Sequence, residues 1–161
     1  MNEEQRLRKR IRIWVLIFII GLVLSGVTAF PIETELAFMV NHSSIFPEFI
    51  VRWIETIYLA VKDTNTHYPW LSYGTDWLAF GHIVIATAFI GPLRDPVKNI
   101  WVIQFGMIAC VMVLPLAFIA GPIRQIPVYW SCIDSCFGIF GIIPLYICYR
   151  SIRELEKLSF N

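Results

Sequence analysis

Charged side chains are scarce in this sequence, and their scarcity excludes an ordinary soluble domain. Asp, Glu, Lys and Arg make up 16% of the 161 residues, whereas soluble domains carry about 25%. The net charge is only +1, so the chain lacks the basic excess of a nucleic-acid-binding protein, and we expect no such partner. Cysteine is also sparse, with four residues that all lie in apolar blocks. This placement indicates packing residues and argues against a secreted disulfide framework.

Apolar residues are abundant and concentrated in blocks of membrane-spanning length. They make up 57% of the chain, and a span needs about 20 such residues. The first block follows a basic tail, as in a signal peptide, but it exceeds the apolar run of about 7–15 residues found there. We therefore expect a retained span. The predicted spans are approximately residues 13–30, 75–92, 100–120 and 128–149.

A Gly-Pro dipeptide follows each of two predicted spans. Gly91-Pro92 follows the second block and Gly121-Pro122 follows the third. Because proline lacks a backbone donor and restricts the residue before it, helices tend to end at or before such pairs. We expect the second and third spans to end there.

Lysine and arginine predict the orientation of the spans. With a cytoplasmic N-terminus, ten basic residues lie inside and three lie outside, as the positive-inside rule requires. The C-terminus is then also cytoplasmic. The ten are Arg6, Arg8, Lys9, Arg10, Arg12, Arg94, Lys98, Arg150, Arg153 and Lys157, and the three are Arg52, Lys62 and Arg124.

The long connection at residues 31–75 contains a predicted helix. Apolar residues recur there at steps of three and four over residues 46–61, which is the helical period. Charged residues such as Glu48 and Glu55 lie on the opposite side. The segment is too short and too charged to span, so we expect it to lie along the outer membrane surface. The sequence thus predicts an all-α fold with a single integral membrane domain over residues 1–161: a four-transmembrane-helix bundle with an extracytoplasmic amphipathic helix between the first and second spans.

Three segments carry a resemblance to a known family. They are SGVTAFPIETEL (25–36), TDWLAFGHIVIATAFIGPLRDP (75–96) and IDSCFGIFGIIPL (133–145). Together they resemble a family of small bacterial four-helix membrane proteins that carries no assigned activity. The resemblance implies a protein of the bacterial inner (cytoplasmic) membrane, and it implies no catalytic residues.

Polar residues inside the spans are the candidate ligand-binding residues, because such residues usually face a bundle interior or a wet cavity. His82 and Ser25 should lie roughly 8 Å below the outer surface, and Asp134 about 9 Å below it. Ser131 lies on the same helical stripe as Asp134, together with small residues that mark a packed face. Pro115 lies at a similar depth in the third span. We expect His82, Asp134 and Ser25 to face a common centre.

Four interpretations of this group remain open. His82 and Asp134 can form a structural pair that sets helix register, or they can line a substrate or lipid-headgroup pocket open to the outside. A metal site would need Cys132 or Cys136 as further ligands. A hydrolase triad would need Ser25 within reach of one histidine nitrogen.

The sequence therefore predicts a membrane protein but not a reaction. The leading hypothesis is a non-catalytic protein that binds a small amphiphile or a partner subunit through an outer-leaflet cavity. The alternative is a membrane-embedded enzyme acting on a lipid or quinone-like substrate, with His82 and Asp134 as acid and base. Expected partners are the lipid bilayer, a lipid or amphiphile ligand, and a membrane partner subunit. No cofactor and no metal ligand set is indicated.

Overall fold

A computed structural model describes residues 2–159, and within that range the chain is helical without any strand. The helices are α1 (Glu3–Ala29), α2 (Ile32–Asn41), α3 (Glu48–His67), α4 (Pro69–Ala88), α5 (Ile90–Arg94), α6 (Ile100–Pro115), α7 (Gly121–Ile123) and α8 (Val128–Ser159). A 3₁₀ turn lies at Ser43–Ile45, and a π-helical turn lies at Leu116–Ala120. The all-α prediction is confirmed.

Four helical stretches are long and apolar enough to cross a membrane. They are Glu3–Ala29, Pro69–Arg94, Ile100–Ile123 and Val128–Leu158. A helix suits this environment because it satisfies its backbone hydrogen bonds within the segment. Large apolar side chains such as Leu24, Ile108 and Phe140 point outward and are more than half exposed. These features are consistent with a multi-pass membrane protein.

Helical structure continues past both Gly-Pro pairs, in contrast to the expectation that the spans end there. α5 carries the second stretch through Pro92 to Arg94, and α7 carries the third through Pro122 to Ile123. Each proline lies in the first turn of a short helical segment. The missing backbone donor costs little at that position, because first-turn N–H groups have no partner within their own segment.

The connection at residues 31–75 is largely helical as well. The helix expected over residues 46–61 is present as α3, which begins at Glu48 and ends at His67. α2 precedes it and was not predicted. α3 and α4 are separated at Tyr68, whose φ of −137° and ψ of 54° leave the helical region. This break is expected, because the ring of Pro69 disfavours a helical conformation in the residue before it.

The chain divides into two compact units. The first comprises the chain up to Ile20 and the chain from Thr87 onward, and the second comprises Gly21–Ala86. In the first unit the start of α1 packs on the end of α8. The Sγ atom of Cys148 donates to the carbonyl oxygen of Ile11 at 3.7 Å. Apolar residues along these parts of α1 and α8 are buried, namely Leu7, Ile11, Val15, Ile152 and Leu155.

Glycines let α6 and α8 approach closely in the first unit. A Cβ atom added at Gly106 would lie 2.9 Å from Cδ1 of Leu145 in α8, and one added at Gly141 would lie 3.0 Å from the sulfur of Cys110 in α6. A Cβ atom at Gly138 would collide with the backbone carbonyl oxygen of Cys110. Helices in lipid gain no hydrophobic driving force from association. Small residues at such contacts allow close van der Waals packing, which stabilises the association instead.

The second unit combines a close helix contact with a polar network. A Cβ atom at Gly26 of α1 would lie 2.7 Å from the carbonyl oxygen of Ala79 in α4. The side-chain amide of Asn65 donates to Glu33 at 2.6 Å, and its oxygen accepts from the hydroxyl of Ser72. One half-buried asparagine therefore connects α2, α3 and α4.

Candidate functional site

A cavity of about 280 Å³ lies between the π-helical turn, α7 and the first turns of α8. Three polar residues, Arg124, Ser131 and Asp134, line it. Its remaining walls are apolar and consist of Val113, Leu116, Ala117, Ala120, Gly121 and Ile126. Apolar walls with a few polar groups are the usual character of a small-molecule site.

The residues after Pro115 explain why this cavity exists. Proline cannot donate to the carbonyl four residues earlier, and the chain continues directly into the π-helical turn at Leu116–Ala120. The wider turn carries the small residues Ala117 and Ala120, which leave space beside α8. A Cβ atom at Gly121 would lie 2.7 Å from the hydroxyl oxygen of Ser131, so glycine leaves room for this hydroxyl beside α7.

The turn between α7 and α8 places Arg124 and Ile126 at the cavity. The N–H of Ile126 donates to the carbonyl of Gly121 at 2.9 Å, and the N–H of Gln125 donates to the carbonyl of Pro122 at 3.1 Å. This pair of bonds is a Schellman motif, which normally places glycine at the left-handed position. Gln125 occupies that position with a φ of 58°.

Replacing Gln125 with glycine should stabilise the protein by about 1 kcal/mol. A left-handed conformation costs a residue with a Cβ atom roughly 1–2 kcal/mol, and the extra backbone freedom of glycine offsets part of the gain. Thermal unfolding of the detergent-solubilised protein measures the change. Gln125→Ala keeps the Cβ atom and serves as the control. A lower melting temperature for Gln125→Gly than for Gln125→Ala would contradict this account.

The two charged residues of the cavity lack partners within the protein. Among residues 2–159, neither the carboxylate of Asp134 nor the guanidinium of Arg124 forms a hydrogen bond or an ion pair. Asp134 is half-buried, whereas Arg124 is exposed. Both side chains are thus available to a molecule that enters the cavity. The structure brings Asp134 and Ser131 together in one cavity, in agreement with their shared helical stripe.

His82 and Ser25 lie in the second unit. The Nδ1 atom of His82 lies 2.8 Å from the carbonyl oxygen of Leu78, and because a carbonyl only accepts, Nδ1 is the donor. A Cβ atom at Gly26 would lie 3.2 Å from the Cβ atom of His82. The part of α1 that contains Ser25 and Gly26 therefore packs against α4. The contact between His82 and Asp134 stays a prediction, as does the triad.

The cysteines are all free thiols. Cys110 and Cys148 are buried, Cys136 is half-buried and Cys132 is exposed. The thiol of Cys136 donates to the carbonyl oxygen of Cys132 at 3.4 Å. Within residues 2–159, no group of three or more His, Cys, Asp and Glu side chains is arranged to hold a metal ion.

A second cavity, of about 320 Å³, lies beside α6 and α8. Among its lining residues Gln104 alone is polar, and the others include Met107, Ile108 and Ile142. It would accept an apolar chain but offers no charge to orient a ligand. The smaller cavity is therefore the better candidate site.

Comparisons of the chain with protein-family models, with curated proteins and with solved structures found no significant match. The resemblance to a bacterial four-helix family stays a prediction.

Arg124 is the site residue that sequence reasoning missed. It was counted only as one of three basic residues on the outer side. The available signal was that the expected orientation leaves Arg124 outside, ten positions before an aspartate of a predicted span.

Proposed function

We propose that this protein binds a small amphiphile in the cavity lined by Arg124 and Asp134 and that it catalyses no reaction. The observation that carries the proposal is a pair of charged residues without partners among residues 2–159, in a cavity whose other walls are apolar except for Ser131. The apolar walls suit the body of an amphiphile, and the charges orient its polar end. At about 280 Å³ the cavity is near the lower limit of the usual range, roughly 300–1,000 Å³, which favours a small ligand.

The cavity is proposed to open on the extracytoplasmic side of a bacterial inner membrane. Ten of thirteen basic residues belong to the segments assigned to the cytoplasm. In the first unit, α1 and α8 bring their basic ends together through the contact of Ile11 with Cys148. The backbone N–H of Lys98, and more weakly the charge of Arg8, hold the pKa of Asp95 below its usual value. The turn before α6 therefore lies near the basic end of α1.

α3 is proposed to lie along the outer surface as an amphipathic helix. Its residues Ile50, Trp53, Ile54 and Ile57 are buried or half-buried. Its charged residues, Glu48, Arg52, Glu55, Lys62 and Asp63, are exposed. This distribution supports an interfacial helix with one face toward water.

Reporter fusions test this topology. Fusions after Asp63 and after Arg124 should report an external location, because positive charge is sparse in both connections. Fusions after Lys98 and at the C-terminus should report the cytoplasm. An external C-terminus would overturn the assignment of sides and place the cavity on the cytoplasmic surface.

Mass spectrometry of the purified protein tests ligand binding. The wild-type protein should copurify with a small amphiphile, and Ala120→Leu should lose it because the larger side chain fills the cavity. Ala109→Leu is the matched control, since Ala109 is exposed on α6 away from the cavity lining. Both variants should unfold at temperatures close to the wild type. Equal retention by Ala120→Leu would show that the amphiphile binds elsewhere, and a wild-type protein without any bound amphiphile would refute the function.

A further inference from the structure

Two opposite charges face one small cavity, and neither has a partner among residues 2–159. A ligand that fills the cavity would displace water from the half-buried carboxylate of Asp134 and from the part of the exposed Arg124 that lines the cavity. Losing water is costly for an ionised group unless an opposite charge or a hydrogen-bonding group replaces it. The groups that replace this water must therefore come from the ligand.

The balance of charges restricts the chemistry of that ligand. A simple anion would pair with Arg124 but would be repelled by Asp134, and a simple cation would have the reverse problem. A neutral amphiphile could offer hydrogen bonds, but it would supply neither side chain with an opposite charge. We propose that the ligand is a zwitterion whose ammonium group pairs with Asp134 and whose carboxylate or phosphate group pairs with Arg124. This inference rests on the proposed function and specifies the polar end of the amphiphile.

Each lining residue suits its part in this arrangement. The planar guanidinium of Arg124 matches the two oxygens of a carboxylate or phosphate group. An ionised Asp134 only accepts hydrogen bonds, which suits the N–H donors of an ammonium group. The apolar body of the ligand would lie against Leu116, Ala117 and Ile126, which share the same cavity.

Two sources can supply such a zwitterion. An ethanolamine phospholipid carries an ammonium and a phosphate in its headgroup, and a free apolar amino acid carries an ammonium and a carboxylate. A volume of about 280 Å³ accommodates an amino acid or the polar end of a lipid. The chemistry is shared, so the experiment must separate the sources.

Binding measurements on the full chain separate them. For the amino-acid source, titration calorimetry in a neutral maltoside detergent compares leucine with N-acetylleucine, which lacks the ammonium, and with leucinamide, which lacks the carboxylate. For the lipid source, native mass spectrometry compares retention of phosphatidylethanolamine with that of phosphatidylglycerol, which lacks the ammonium. We expect one zwitterion to bind at least about tenfold more tightly than its counterparts, because each counterpart leaves one charge unpaired.

Two variants assign this preference to the cavity. Asp134→Asn should abolish the preference for the ligand that carries an ammonium, and Arg124→Gln should weaken binding of the preferred zwitterion by about tenfold or more. Arg94→Gln removes an exposed arginine outside the cavity and should bind as the wild type does. Thermal unfolding of all three variants verifies that they are folded.

The outcomes distinguish this inference from the proposed function. If an amphiphile copurifies but neither zwitterion is preferred over its counterparts, the zwitterion is refuted and amphiphile binding stands. If a zwitterion is preferred but both cavity variants bind it as the wild type does, the assignment to Arg124 and Asp134 is refuted. If no amphiphile copurifies, the proposed function is refuted, and if no probe binds either, the zwitterion is refuted with it.

Discussion

Replacing Gly138 with alanine should destabilise the protein by about 2–3 kcal/mol, the upper part of the usual range for overpacking. The added Cβ atom would collide with the backbone carbonyl oxygen of Cys110. A backbone atom inside α6 cannot move aside as the end of a flexible side chain can. The contact between α6 and α8 must therefore widen, and the neighbouring contact of Gly141 with Cys110 would loosen with it.

Thermal or denaturant unfolding in detergent measures this loss. Gly81→Ala and Gly21→Ala are matched controls, because a Cβ atom at either position meets nothing within 4 Å. Both controls should be neutral or slightly stabilising, since alanine favours a helix over glycine by about 1 kcal/mol. A Gly138→Ala variant that unfolds together with the controls would show that α6 and α8 do not depend on this close approach.

Replacing Asn65 with aspartate should destabilise the second unit by roughly 1–2 kcal/mol, as expected for a half-buried polar network. The asparagine donates to Glu33 and accepts from Ser72. Aspartate removes the donor and places a second carboxylate next to Glu33, so an attraction becomes a repulsion. The new carboxylate can still accept the hydrogen bond from Ser72, so the loss falls on the contact with Glu33 between α2 and α3.

The control variants and the pH separate the loss of the hydrogen bond to Glu33 from the repulsion between the two carboxylates. Ser72→Ala removes only the second hydrogen bond and should cost less than Asn65→Asp. Thr66→Ala removes an exposed hydroxyl that is bonded within its own helix and should be nearly neutral. Lowering the pH should restore part of the stability of Asn65→Asp, because protonating one carboxyl group removes the repulsion. An Asn65→Asp variant as stable as Thr66→Ala would show that the network does not hold α2, α3 and α4 together.

The sequence indicated the membrane-spanning helices because their formation is a local matter. In lipid, an apolar run of about 20 residues can satisfy its backbone hydrogen bonds only by forming a helix. The length of each apolar block was therefore sufficient to predict a helix. The regular spacing of apolar residues indicated α3 in the same way. α2 was missed because its ten residues are too few for a strong periodic signal. The helical segments around Pro92 and Pro122 were missed because proline in a first turn resembles a helix end.

The tertiary structure decided which polar residues share a site. Helical spacing placed Ser131 and Asp134 on one stripe, and the cavity contains both. It could not add Arg124, because that residue reaches the cavity through the π-helical turn after Pro115 and the left-handed residue Gln125. Each is a local departure from regular α-helix, and each changes the direction of the chain that follows it. By itself the sequence therefore determined the four apolar helices, and only the packing of α6, α7 and α8 determined which charged residues line the same cavity.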